Sequence, residues 1–180
     1  KIEGFDVMVK SDEQSRYMVS EGDEYLSSVL DMRPKFHLYK PHIGIINGIA
    51  WDHINVFPTF DNYVEQFKIF ADKIEPHGSL IYYNQDENIR KIAAQAREDI
   101  SLLPYEGLKC KIENGITIVQ EGGKEYPIEV FGRHNLINMN AAMLACEAIG
   151  VKREDFLQTM CSFAGAAKRL EKVAAGKTQA

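Results

Sequence analysis

Apolar residues along this chain fall into short blocks separated by polar or turn-forming residues. The spacing inside those blocks predicts most of the elements. Residues 5–9 (FDVMV) and 16–20 (RYMVS) are β-rich runs flanking the polar turn SDEQ and read as a hairpin or strand pair. The stretch SSVLDMRPKFHLYKP carries two prolines, which argue for loop and short helix. IGIINGI, from Ile43, is a nearly continuous apolar run suited to a strand buried in a sheet. Phe57-Pro58-Thr59 then breaks the chain. Asp61 can cap a helix whose Tyr63, Phe67, Phe70 and Ile74 recur at helical steps, and Pro76 and Gly78 end it. SLIYY predicts the next strand, Asp86 can open a second helix with Ile89, Ile92, Ala93 and Ala96 on one face, and ISLLPY is a third strand. Alternation of this kind implies right-handed crossovers and an α/β fold, a mostly parallel sheet with flanking helices.

The texture changes near residue 108. KCKIE-NG-ITIVQ is a hairpin signal, because Asn-Gly suits a type I′ turn between alternating strands. Gly122-Gly123 offers another turn before EYPIEV, so residues 108–131 predict a small antiparallel β subregion within a unit spanning 1–180. From Asn135 the helical pattern returns in NLINMNAAMLACEAI, ends at Gly150, and resumes in REDFLQTMCSF.

Composition narrows the function classes. A net charge of -5 gives no polybasic footprint, so nucleic acid is not an expected partner. No run reaches the roughly 18 apolar residues of a membrane span, and KIEGFDVMVK is not a signal peptide. Cys110, Cys146 and Cys161 are widely spaced and lack a C-x-x-C pairing, which reads as reduced thiols in a cytoplasmic protein. The chain starts without Met and almost inside a strand-like stretch, which leads us to expect a piece of something larger.

Four polar stretches can carry chemistry. EGDEY sets Glu21, Asp23 and Glu24 after a strand-like run, where carboxylates can hold a hard cation or form a solvated acidic turn. WDHIN puts Asp52 and His53 at the tip of an apolar strand, where ligands bind in open α/β sheets; a turn histidine bonded to backbone is the competing reading. GRHNLINMNAA places Asn135 and Asn138 three apart near a helix start, which suits the edge of a purine as well as capping. In FAGAAKRLEKV, Lys168-Arg169 can hold phosphate or remain a solvated pair. The terminal Gly176-Lys177-Thr178 lacks the upstream glycine of a phosphate loop.

Taken in order, E-x-D-E, N-x-x-x-x-D-H, G-x-H-N-x-x-N and F-x-G-x-x-K-R resemble the central ATP-binding domain of the Mur ligases over nearly the whole chain. That family joins amino acids or peptides to UDP-linked muramic acid in peptidoglycan synthesis and recycling. The resemblance implies a P-loop-type fold whose first strand and phosphate loop would precede Lys1, and ATP and Mg²⁺ as cofactors. It implies Glu21 and His53 as cation ligands, Asn135 and Asn138 with His134 facing the adenine, and Arg169 on the ATP phosphates. No side chain of this stretch is assigned a catalytic role of its own. The implied reaction activates a carboxylate to an acyl phosphate, which an amine attacks, releasing ADP and phosphate. The pattern Asp23-Glu24-Tyr25, Asp31, Arg33, Lys35-Phe36, Tyr39 and Pro41 resembles members that attach L-Ala-γ-D-Glu-meso-diaminopimelate to UDP-N-acetylmuramate. The alternatives are the L-alanine-adding members, or a nucleotide-binding module without turnover. Ala50, Gly48 and Asn55 depart from the family's usual Glu, Asn and Asp, and Lys168 from its usual first Arg. With N- and C-terminal domains expected elsewhere in the protein, the isolated stretch is expected to be inactive.

Overall fold

The computed structural model describes residues 13–165. Three parallel strands, β1 (Ile43–Ile46), β2 (Ser79–Tyr83) and β3 (Ser101–Tyr105), lie in the order β1-β2-β3, in register with Ile45 beside Ile81 and Ile81 beside Leu103. Helices α1 (Phe60–Asp72) and α2 (Glu87–Ala94) make the crossovers. They pack on the face that presents Ile46, Leu80 and Tyr82, in a core with Phe70, Ile74, Ile89 and Ile92. Gly44 allows that packing: a Cβ there would meet Ile74 Cδ1 at 3.0 Å and Phe70 Cε1 at 3.2 Å. The stepped apolar positions of α1 are the ones that turn inward, as helical spacing requires.

A second sheet is antiparallel, built from β4 (Cys110–Glu113), β5 (Ile116–Glu121) and β6 (Lys124–Ile128). Its turns follow the residues that specify them, with Asn114 and Gly115 at φ 51° and 78° and Gly122 and Gly123 at 56° and 77°. Helix α3 (Arg133–Ala148) lies between the sheets. Ile137, Ala141 and Leu144 pack on Ile81 and Tyr105 of the parallel sheet, while Leu136, Met139 and Met143 pack on Val119, Tyr126 and Ile128 of the antiparallel one. Helix α4 (Arg153–Met160) closes that second core through Leu157. The mixed α/β architecture matches the expected class.

Several local expectations need correction. Residues 16–20 form no strand; Tyr17, Met18 and Val19 stand 62%, 86% and 97% exposed. Strand propensity needs a pairing partner to take effect, and none is present among the described residues. Residues 5–9 and Arg169 lie outside those described. The cap of α1 is Thr59, whose hydroxyl accepts from the Asn62 N–H, and Asp61 falls in the first turn. Helix α3 begins at Arg133 with Gly132 as its N-cap, not at Asn135. Gly132 has φ 90°, which a side chain disfavours, and Asn135 sits inside the first turn with its amide donating to the Phe131 carbonyl at 2.7 Å. Asp86 caps α2 as expected, accepting from the N–H groups of Asn88 and Ile89.

Candidate functional site

Beyond Ile46 the apolar run leaves the sheet, and residues 47–57 form a loop at the carboxyl end of β1. Several ties hold it. Asn47 Nδ2 donates to Asn138 Oδ1 on α3 at 2.9 Å, and Trp51 Nε1 donates to the Phe57 carbonyl at 3.0 Å. The Ile49 N–H donates to Asp86 Oδ2 at 3.4 Å. The Asp52–His53 pair sits in a tight turn: Asp52 Oδ1 accepts from the His53 N–H at 2.6 Å, and the Val56 and Phe57 N–H groups converge on the His53 carbonyl. His53 itself has φ 53°, in the left-handed region that few non-glycine residues adopt and that His77 also adopts. Such a conformation persists only where the surroundings enforce it.

A second segment reaches the same place. Residues 21–41 fold back on themselves through Lys35 Nζ to Asp23 Oδ2 at 2.5 Å, and through a two-point Arg33–Asp31 pair at 2.7 and 2.9 Å. Hydrogen bonds from Arg33 hold the Asp31 carboxyl down at about 2. Phe36, in a single 3-10 turn (Lys35–His37), is buried against Phe67 and Phe70 and anchors the loop to α1. This fold turns Glu24 inward. Its Oε1 accepts from the Tyr63 hydroxyl at 3.1 Å and lies 3.7 Å from His53 Nε2, while the Tyr25 ring meets the His53 ring edge-on at 4.8 Å.

Gly22, Glu24, Asn47, Gly48, Asp52 and Tyr63 line part of one cleft of about 340 Å³ at this edge. The carboxylates of Glu24 and Asp52 are oxygen donors of the kind a hard cation prefers, with the half-buried His53 imidazole beside Glu24, but no group of three or more His, Cys, Asp or Glu among the described residues is close enough to hold a metal ion by itself. Ala50 and Asn55 add no charge; Asn55 Nδ2 instead donates weakly to the Tyr25 hydroxyl at 3.4 Å.

The candidates drawn from sequence separate into groups. His53 lies beside Glu24, which lines the cleft. Asn138 reaches its rim through Asn47, and Asn135 lies on the same first turns of α3. His134 is exposed beside Gly132, and Glu21 is exposed on the turn before the inward-facing Glu24. The sequence named the acidic cluster with Glu21 as a cation ligand, and the residue that touches His53 is Glu24 of the same cluster. It also passed over Asn47, the first residue of N-x-x-x-x-D-H, and treated Tyr63 only as packing.

Comparison with known proteins follows the same outline. Residues 7–146 match the family described as Mur ligase middle domain. UDP-N-acetylmuramate--L-alanine ligase of Desulfitobacterium hafniense (strain Y51) is 30% identical over 162 residues, covering 85% of this chain and 36% of the relative. The chain therefore spans about a third of the length of that curated relative. Among solved structures, UDP-N-acetylmuramate:L-alanyl-gamma-D-glutamyl-meso-diaminopimelate ligase from Neisseria meningitides matches with a TM-score of 0.70 at 20% identity, covering 82% of this chain and 48% of that one. MurF from Acinetobacter baumannii matches with a TM-score of 0.68 at 20% identity, covering 86% and 35%. At these identities the structural matches speak for the fold.

Proposed function

The chain belongs to the Mur ligase family as a middle domain, and on that premise we propose that it is the nucleotide- and cation-binding part of an ATP-dependent amide ligase of peptidoglycan metabolism. The whole protein would join L-Ala-γ-D-Glu-meso-diaminopimelate to UDP-N-acetylmuramate in the cytoplasm. One observation carries the reading: Glu24, Asn47 and Asp52 line one cleft at the carboxyl end of a parallel sheet, with His53 beside Glu24 and Asn138 bonded to Asn47.

In this reading the carboxylates and His53 hold Mg²⁺, with Glu21 on the adjoining turn, and the cation offsets charge on the transferring phosphoryl group. Asn138 and Asn135 face the adenine with His134 beside them, and Arg169 reaches the phosphates. The cleft orients the activated carboxylate and keeps water from it while the amine attacks. The phosphate-cradling G-x-x-x-x-G-K-[ST] pattern does not occur in these 180 residues, so this chain alone is expected not to ligate.

The tripeptide is favoured by the self-locked loop of residues 21–41. There Asp23, Asp31, Arg33, Lys35 and Phe36, the residues whose pattern resembles tripeptide-adding members, each make a defined contact. A second reading, L-alanine as the amine, is favoured by curated relatives named for that substrate. Full-length protein given UDP-N-acetylmuramate, ATP and Mg²⁺ with either amine decides between them. Amide formation with the tripeptide supports the first reading, and amide with L-alanine only replaces it by the second. No ATP-dependent amide with either refutes both.

A further inference from the structure

We propose that Gln85 and Tyr83 are positioning residues for nucleotide binding: by gripping Arg133 they fix the start of α3, which carries Asn135 and Asn138. The proposal rests on the reading of those two carboxamides as facing the adenine. The start of α3 is weakly fixed by its own sequence. Its N-cap is Gly132, which offers no side-chain bond, and its first turn holds no acidic residue. Arg133, the first helical residue, puts a cation at the end of the helix where the dipole disfavours one. The guanidinium reaches the tip of β2. Its Nη2 donates to Gln85 Oε1 at 2.6 Å and to the Tyr83 hydroxyl at 3.3 Å, and that hydroxyl donates to Gln85 Oε1 at 3.0 Å. The three groups close a triangle in which both donors share the Gln85 oxygen, and the bond from the ionised guanidinium is the stronger kind.

A clamp works only if its other end is rigid, and the turn after β2 is held from several sides. The Asn84 N–H donates to the Tyr105 carbonyl at 2.9 Å, and Arg90 Nη1 donates to the Asn84 carbonyl at 2.8 Å. Asp86 Oδ1 accepts from the Asn88 and Ile89 N–H groups at 2.8 and 3.1 Å, and the Tyr83 ring lies 5.8 Å from that of Tyr105. The same turn meets the other side of the cleft, because Asp86 Oδ2 accepts from the Ile49 N–H. Residues 83–86 therefore set the start of α3 and the loop after β1 against one frame. The Asn47–Asn138 bond closes the circuit between them, and it depends on α3 keeping that place. Arg133 and Gln85 are both exposed, so their contact adds little to the core. What it supplies is the placement of a helix end.

The test uses full-length protein: wild type, Gln85→Ala, Arg133→Ala, the double variant and Gln85→Glu. One reading is KM and kcat for ATP in ligation. The other, in nucleotide-free protein, is exchange protection of the Asn135 and Leu136 amides, which donate to the Gly132 carbonyl. Gln85→Ala should raise the KM for ATP about 5-fold with kcat little changed, and lower that protection by a similar factor. Arg133→Ala should match it, and the double variant should be no worse than either, as two ends of one contact require. Gln85→Glu keeps an acceptor for the guanidinium and should hold both readings at wild type. All should melt close to wild type, because the altered side chains are exposed. Either reading staying at its wild-type value in Gln85→Ala overturns the proposal. Effects that add in the double variant overturn it too, as does a much larger loss in Arg133→Ala, which would make Arg133 itself a nucleotide ligand. Should Gln85→Ala melt below the assay temperature, Arg133→Ala and the Gln85→Glu rescue are decided on the same readings. A wild type that neither ligates nor binds ATP would refute the proposed function, and the exchange reading would then decide the clamp alone.

Discussion

In the antiparallel sheet, Lys111 bridges Glu113 and Glu125, Lys124 pairs with Glu154, and Arg153 pairs with Glu121 and Glu147. At the tip of β1 the polar groups are arranged otherwise. Glu24 is held by a buried phenol, His53 is strained, and Asp52 spends one oxygen on its neighbour's backbone while lining a cleft. The first region satisfies its charges locally, between residues close in the sheet or on the helices beside it. The second draws on segments around residues 24, 53, 63 and 138 and leaves carboxylate oxygens facing open space. Charge that is already paired holds a surface together; charge held in place but left available is what a ligand can use.

Substitutions can break or sharpen that contrast. Packing should not distinguish the regions, because Ile81 under α3 and Val119 in the second sheet are both fully buried. Ile81→Ala should lower stability by about 2–5 kcal/mol in urea titration. If it instead abolished ligation with stability intact, the division between core and site would be misdrawn. His53→Asn in the full-length protein should cut ligation by about 100-fold, the upper end for disturbing a metal site. Its melting temperature should hold or rise, because Asn adopts the left-handed region more readily. A lower melting temperature would make His53 a structural turn residue.

How much of this could be read in the sequence differs between the same two regions. The antiparallel sheet was fully legible, because Asn114-Gly115 and Gly122-Gly123 write their turns into adjacent residues. The parallel pairing of β1, β2 and β3 followed from alternation of strand and helix, and the loop position of His53 from its place after an apolar run. The inward turn of Glu24 was not legible, since its carboxylate lies close to Glu21 in the chain and only the folding of residues 21–41 onto Phe36 and Lys35 decides which faces inward. The bond between Asn47 and Asn138 was equally hidden, joining residues 91 apart. The strand expected at residues 16–20 failed for the complementary reason: its composition is right, but strand formation is decided by a partner.

Smaller effects complete the comparison. Asn138→Ala removes one partner of that bond and should raise the KM for ATP about 5–10-fold with kcat little changed, as loss of roughly 1 kcal/mol of uniform binding requires. Lys111→Ala, in the self-paired region, should leave ligation unchanged and the melting temperature close to that of wild type, because exposed ion pairs are screened by solvent. The smallest effect concerns pH. Asp31 is held at about 2 by Arg33, below its ordinary value of 3.8, so its stabilising contribution is full above that value and is lost as pH falls toward 2. Protection of the Leu30 and Asp31 amides, which donate to Ser28 Oγ within the same loop, taken relative to the intrinsic exchange rate at each pH, should fall over that window and stay constant in Asp31→Asn.

The account is tested most directly by mapping where the full-length protein binds a non-hydrolysable ATP analogue with Mg²⁺, residue by residue, through amide shifts. Changes should concentrate in residues 22–25, 47–54 and 132–138, with β4–β6 silent. Changes centred on β4–β6, or none in the loop after β1, would contradict the assignment of the cleft.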